Sequence, residues 1–291
     1  DKNTRFVLKR WNMNKPIIAI MYDFDKTLCT RDMQEYTFIP SLGMQPDEFW
    51  DKTAEVASEQ QMDSVLTYMY CMIKQSERIG KPFSREDLTE CGKHIEYLPG
   101  VEDWFERINE YGRQAGVEVE HYVLSSGLKE IIDGSSIAKH FKKIFASEFL
   151  YQDGKAVWAK MAVNYTNKTQ FVYRINKGVL DISNNVDVNA SKPENERRVY
   201  FNNMIYIGDG LTDVPCMKLV KLSGGHSIAL YQQGQKDKVQ PLLKHERVDW
   251  IFEADYRKDE ALDKAMHNLI NKLAVDNQLI RLSNAQKAEI K

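Results

Sequence analysis

The sequence is poor in cysteine, balanced in charge and without long apolar runs. Its four cysteines, Cys29, Cys71, Cys91 and Cys216, show no Cys-x-x-Cys spacing. That argues against a zinc knuckle or a redox pair and suits a reducing compartment, so a cytoplasmic location is expected. The longest wholly apolar stretches are strand-sized, far below the ~20 residues of a membrane span, and no membrane partner is expected. Asp1–Trp11 is mostly polar and charged, so no charged-then-apolar signal peptide is expected there. The net charge is −2. No general field therefore draws in nucleic acid or an anionic membrane, and nucleic acid is not an expected partner. There is no internal repeat and no low-complexity tract. Oligomeric state has no readable signal.

What is present is a globular composition, 43% hydrophobic and 28% charged over 291 residues. That length suits one large domain or a domain with an insertion. The most informative stretch is Ile17–Thr30, reading IIAIMYDFDKTLCT. An apolar run, Ile17–Tyr22, stops in two carboxylates one residue apart, Asp23 and Asp25, followed by Lys26 and Thr27. A buried strand that ends in acid is costly unless the acids meet a metal, a cation or water. At the C-terminal end of a parallel strand, that meeting place is where ligands bind.

Periodicity and turn chemistry divide the remaining chain. Lys15–Tyr22 reads as a buried strand. Pro46–Gln60 and Gln61–Ser76 read as helices; Val65, Tyr68, Met69, Met72 and Ile73 recur on one face of the second. Ser84 with Asp87 predicts a capped third helix, Arg85–His94. The helical stretch 31–95 thus holds no strand and reads as an insertion between strand-helix units, with a core domain formed by 1–30 and 96–291. A helix follows Pro99-Gly100 and ends at Gly116. Val117–Leu124 is a strand, Gly127–Asp133 and Ser136–Phe141 are helical, and Lys143–Phe145 starts another strand. Glu148–Tyr151 and Lys155–Trp158 flank Asp153-Gly154, a hairpin signal. Lys168–Val179 reads as a helix and Leu180–Tyr200 as a polar surface loop. Met204–Ile207, His226–Leu230 and Val248–Phe252 read as strands, and Leu211–Leu222 and Glu260–Leu273 as helices. The polar tail Ala274–Lys291 is expected to pack loosely or fray. Strands alternating with helices indicate an α/β fold, doubly wound around a mostly parallel sheet.

Three predicted strands end in chemistry-bearing residues. The first ends at Asp23-Phe24-Asp25. The second ends at Ser125-Ser126-Gly127. The third ends at Gly208-Asp209-Gly210-Leu211-Thr212-Asp213. Asn167-Lys168-Thr169 opens a helix between the second and third. In a parallel sheet these ends share one edge, gathering carboxylates, a hydroxyl with backbone N–H groups, and a lysine. Clustered carboxylates suit Mg²⁺, and the whole set suits phosphoryl transfer. Each piece alone has a bland counterpart. Asp-x-Asp occurs in many loops, and Gly208–Asp213 would serve as a turn with Thr212 as a helix cap. Ser125 would serve as a cap too. Their order, each at a strand end, carries the functional reading. Cys29, His121 and His226 read as packing or structural residues.

With all four motifs in order over most of Lys15–Asp255, the chain resembles the haloacid dehalogenase-like hydrolases, nearest the phosphoserine phosphatase-like branch. The resemblance implies a Rossmann-like core, a helical cap over 31–95, and a β-hairpin before the motif-three lysine. It implies Asp23 as nucleophile forming an aspartyl-phosphate and Asp25 as general acid/base. Ser125, with Ser126 and Gly127, would bind the phosphoryl group. Mg²⁺ would be held by Asp23, Asp209, Asp213 and the Asp25 backbone carbonyl. Lys168, which opens its helix beside the hairpin, is preferred for the third motif; Lys177, near its helix end, is the rival. At the cap position where phosphoserine enzymes carry a substrate-binding glutamate, this chain has Asp32, with Glu35 one turn on. The expected activity is Mg²⁺-dependent hydrolysis of a small phosphomonoester. Transfer to another alcohol and a catalytically silent binding protein on the same fold are the alternatives.

Overall fold

Alternation explains why the first strand is apolar throughout. In a computed structural model, which describes residues 15–290, β1 (Ile17–Tyr22) is the middle strand of a seven-stranded sheet. Ile18, Ile20 and Tyr22 enter the apolar cluster on one face, Ala19 and Met21 the cluster on the other. A strand covered on both faces has no reason to alternate in polarity. Asp1–Trp11 and Lys291 lie outside the described residues.

The other strands are β2 (Glu118–Leu128), β3 (Phe141–Gln152), β4 (Lys155–Met161), β5 (Met204–Gly208), β6 (His226–Tyr231) and β7 (Trp250–Glu253). Their order is β4-β3-β2-β1-β5-β6-β7, and every pair is parallel except β3–β4. The chain moves outward from β1 through β2 and β3, then returns to β5 on the other side of β1. That reversal opens a crevice at the C-terminal ends of β1 and β5, the usual ligand position in such sheets. This is the expected doubly wound α/β architecture.

Four helices lie within the stretch 31–95 that follows β1: α1 (Phe38–Ser41), α2 (Pro46–Gln60), α3 (Ser64–Arg78) and α4 (Arg85–Cys91). Pro46 opens α2, where its missing N–H costs nothing. Gln61 adopts φ 49° and ends it. Asp63 then caps α3, accepting from the Val65 and Leu66 amides at 3.0 Å each. The expected start at Gln61 is therefore three residues early. Ser84 and Asp87 form the expected capping box on α4. The two ends of this segment run side by side. Leu98 N–H donates to Leu28 C=O and Thr30 N–H to Glu96 C=O, both 3.0 Å, and Cys29 bridges Tyr97.

The segment is not a detached unit. Its Phe49, Val65, Met69, Met72 and Leu88 belong to the same apolar cluster as Ile18 and Ile20. Rings form a continuous path into the sheet, Phe38 to Phe83 at 5.0 Å and Phe83 to Phe149 of β3 at 5.2 Å. The Ala156 amide on β4 donates to Phe83 C=O at 3.0 Å.

The remaining helices are α5 (Val101–Ala115), α6 (Lys129–Asp133), α7 (Lys168–Lys177), α8 (Asn185–Asn189), α9 (Val214–Leu222), α10 (Gln240–Lys244) and α11 (Ala261–Ile290). Several differ from expectation. Lys143–Phe145 and Glu148–Tyr151 are one strand, β3, parallel to β2 in its first half and antiparallel to β4 in its second. Ser136–Phe141 holds only a short 3-10 turn at Ala138–His140. The loop Leu180–Tyr200 contains α8, and buried Arg174 organises it by donating to the carbonyls of Asp181, Ile182 and Asn184. The tail is helical through Ile290, and Leu273, Ala274 and Asn277 are buried. Asn277 exchanges amide hydrogen bonds with Asn203, which the tail's polar composition did not signal. No helix among the described residues is long and apolar enough to cross a membrane.

Beneath the end of β1 lies a buried polar relay. Trp104 Nε1–H donates to the Tyr22 hydroxyl at 2.8 Å, which lies 3.1 Å from His121 Nδ1; His121 Nε2 lies 3.1 Å from Asn109 Oδ1. With the imidazole proton on Nε2, every donor has an acceptor. Burial, reinforced by nearby His140, pushes the His121 pKa down to about 3. The folded protein thus keeps His121 neutral, while the unfolded chain binds a proton near pH 6.5. Stability is expected to fall as pH drops from 6.5 toward 3. In thermal melts across that interval, His121→Gln, neutral at every pH, should show a shallower decline than the native chain.

Candidate active site

The carboxylate pair after β1 is fixed from both sides. Asp23 N–H donates to Ile207 C=O at 2.9 Å, extending the β1–β5 ladder by one residue. The chain then turns tightly, with the Thr27, Leu28 and Cys29 amides all directed at Phe24 C=O. Lys26 takes φ 59° to make that turn. Asp25 Oδ1 accepts from the Met33 amide at 2.8 Å. The helical segment's first residues therefore set the position of the second acid.

Opposite, β2 slips register between Ser125 and Leu128. Ser125 is fully buried and its Oγ accepts from Gly127 N–H at 2.9 Å. Gly127 sits close to both: a Cβ there would lie 2.2 Å from Met33 Cε and 2.9 Å from Asp25 Oδ2, so a side chain would have to displace the end of Met33 and crowd the Asp25 carboxylate. The Tyr68 hydroxyl of α3 donates to Ser126 C=O at 2.6 Å, linking the helical segment to this strand end.

Lys168 joins the two carboxylate strands. It is 1% exposed, and its Nζ donates to Asp23 Oδ1 and to Asp213 Oδ1, each at 2.9 Å. Asp213 Oδ1 also accepts from Tyr206 Oη at 2.7 Å. Lys177 instead donates to the carbonyls of Val188 and Ala190 in the middle of the polar loop. Of the two candidate lysines, the structure brings Lys168 to the acids.

Asp23, Asp209 and Asp213 each offer an oxygen within 4.8 Å of the others. Burial, then the Asp213 charge, raises Asp23 to about 7 against the opposing pull of Lys168. Burial, with Asp23 and Asp213, raises Asp209 to about 8. Lys168 stays firmly protonated; burial opposes its charge, but Asp213 and Asp23 outweigh it. One lysine cannot balance three acids. The buried Asp213 Oδ2 has no hydrogen-bond partner, and this all-oxygen donor set fits a hard divalent cation. The Asp25 carboxylate stands outside that triad. Burial raises its pKa well above the usual range, with further pushes from Asp32 and Asp23.

Beside these residues lies a cavity of about 680 Å³, which the fully buried Ser125 and Asp213 do not line. Asp23, Asp25, Ser126, Gly127, Lys168 and Asp209 line it. A second cavity of about the same volume, between Gly92 and Ser136, contains none of the predicted site residues. Asp32 reaches the first cavity but pairs with Lys26 at 2.6 Å. Glu35 accepts from Trp50 Nε1 at 2.7 Å. Cys29 is fully buried, and burial raises its thiol well above the usual range, consistent with a packing role. Trp50, Gln34 and Tyr165 also line the cavity, and sequence reasoning did not single them out. Tyr68 belongs to the stripe Val65–Ile73, which reads mainly as helix packing with some of it free to line a pocket, and nothing local distinguishes Tyr165. Neither type nor spacing marks such residues.

The model of the haloacid dehalogenase-like hydrolase family matches residues 20–218. This chain is a member of that family, an enzyme class built on this sheet. An uncharacterized protein of Borreliella burgdorferi is 25% identical over 279 residues, 86% of this chain and 95% of that protein. Three solved structures share the fold. A substrate-bound phosphoserine phosphatase has TM-score 0.55 and 18% identity over 84% of this chain and 97% of that one. A probable phosphoserine phosphatase from Vibrio cholerae has TM-score 0.56 and 12% identity over 95% and 75%. A hydrolase of the same family from Salmonella enterica serovar Typhi has TM-score 0.55 and 15% identity over 87% and 76%.

Removing the buried cation should expose its structural role. In metal-free buffer, Lys168→Met leaves two buried carboxylates unpaired and should cost about 3–5 kcal/mol of stability, measured by urea unfolding. An unchanged midpoint would show that the ammonium does not hold this site together.

Proposed function

We propose that the protein is a Mg²⁺-dependent phosphatase that hydrolyses a small phosphomonoester through an aspartyl-phosphate on Asp23. The supporting observation is the Lys168 ammonium bridging Asp23 and Asp213 at the strand edge where Asp25 and Ser125–Gly127 also converge. Residues 31–95 act in this reading as a cap, placing Trp50 and Tyr68 over the catalytic edge. Mg²⁺, held by Asp23, Asp209, Asp213 and the Asp25 backbone carbonyl, would neutralise phosphoryl charge.

The protein's own groups perform the remaining work. An Asp23 carboxylate oxygen forms a bond to phosphorus as the ester P–O bond breaks. The leaving alkoxide takes the Asp25 proton. Asp25, now ionised, removes a proton from water, whose oxygen attacks the phosphorus of the aspartyl-phosphate. Inorganic phosphate leaves and Asp23 is regenerated. Lys168 and the Ser125–Gly127 turn hold the phosphoryl oxygens. The enclosing helical segment limits bulk water, which strengthens each of these interactions. Transfer to an alcohol in place of water would use the same intermediate, and product analysis with an added acceptor separates the two.

Three measurements test the reading. Asp23→Asn should abolish turnover of 4-nitrophenyl phosphate while circular dichroism is unchanged; retained activity would sink the mechanism. Asp25→Asn should act selectively, because 4-nitrophenolate leaves without a proton but water still needs a base. Rapid quench should then show one equivalent of nitrophenol released and a phosphoenzyme that persists. Mg²⁺ should raise the melting temperature of the native chain, and Asp209→Asn should remove most of that shift.

A further inference from the structure

We propose that the leaving alcohol carries a flat, uncharged ring bearing a hydrogen-bond donor, and that Trp50 is the residue that selects it. This inference rests on the phosphatase reading above. The wall facing the catalytic edge is formed by α2 and α3, which contribute Trp50, Ala54, Ala57, Val65 and Tyr68 to the cavity. Trp50 is held rigidly. Its Nε1–H donates to Glu35 Oε1 at 2.7 Å, and its ring meets Tyr68 edge-to-face at 6.0 Å and 77°. Tyr68 is in turn tied to Ser126 C=O. The half-buried indole is therefore a fixed aromatic group in the wall of the cavity that also reaches the phosphoryl site, and fixed aromatic surface binds a planar group at little entropic cost.

The charges along the cavity point the same way. Asp23, Asp25, Asp209 and Lys168 belong to the phosphoryl chemistry. Lys26 and Asp32 satisfy each other, and the nearby acid Glu35 is engaged by Trp50. Lys238 is exposed at the rim and donates to Gln235 Oε1. No arginine is among the residues that line the cavity. An amino-acid ester, carrying an ammonium and a carboxylate together, would require one free charge of each sign. A neutral ring requires neither. The donor is inferred from Gln34. It is 2% exposed, it lines the cavity, and its Oε1 is buried with no hydrogen-bond partner. An orphaned buried acceptor is costly, and a ligand N–H or O–H would satisfy it.

The test compares kcat/KM with Mg²⁺ for uridine 5′-monophosphate, pyridoxine 5′-phosphate and phosphoserine. At least one ring ester should exceed phosphoserine by 100-fold or more, and the two ring esters tell a nucleoside from a substituted pyridine. Trp50→Ala should reduce that ratio at least tenfold, chiefly through KM, whereas Trp50→Phe, which keeps a ring, should preserve most of it. Calorimetric binding of free uridine or pyridoxine to the metal-free protein should weaken in parallel. A preference for phosphoserine, or a ratio indifferent to Trp50→Ala, overturns the inference while Asp23-dependent turnover of 4-nitrophenyl phosphate leaves the phosphatase reading standing. If none of the three esters is turned over the ring inference fails, and if 4-nitrophenyl phosphate is not turned over either the phosphatase reading fails with it.

Discussion

The site depends on one buried ammonium. Lys168 lies between Asp23 and Asp213 at 2.9 Å from each, and without it two carboxylates would be desolvated side by side. Burying a single ion is expensive, and burying like charges together more so. The lysine offsets part of that cost, as the raised Asp23 and Asp209 pKa values attest. What remains is an excess of negative charge and an unpartnered Asp213 Oδ2. A divalent cation held by the three acids, as proposed, would relieve that imbalance.

The sheet gathers these groups, and the crevice where its strand order reverses keeps them on one edge. The inserted helices are fastened to that edge by short links. Met33 N–H holds Asp25, Tyr68 holds the Ser126 carbonyl, and the bridged segments 28–30 and 96–98 form the neck. Because the segment shares an apolar cluster with the sheet, the geometry of the acids and the shape of the cavity are coupled. A change in the packing of α2 or α3 reaches Asp25 through only a few atoms.

Much of the fold was legible in the chain. β1 announced itself by an unbroken apolar run that stops in acid, and the Asp153-Gly154 turn marked the hairpin. Boundaries failed where tertiary contacts overrode local pattern. β3 reads as two strands because it changes partners midway, from β2 to β4. The tail looked loose because Asn277 is polar, yet Asn203 satisfies it inside the fold. The loop 180–200 looked free because nothing local shows that Arg174 reaches into it.

The chemical identities at the strand ends, Asp23, Asp25, Ser125, Asp209 and Asp213, were determined by the sequence alone. Such positions pair an apolar strand with abrupt polarity, a contrast that survives in one dimension. Lys168 over Lys177, the Lys26–Asp32 pair and the ring wall of Trp50 and Tyr68 were decided only by the tertiary structure. Lys168 meets acids far from it in the chain, and even the short-range Lys26–Asp32 pair depends on how the turn after β1 folds. A side chain's type says what it can do, and only folding says which partners it meets.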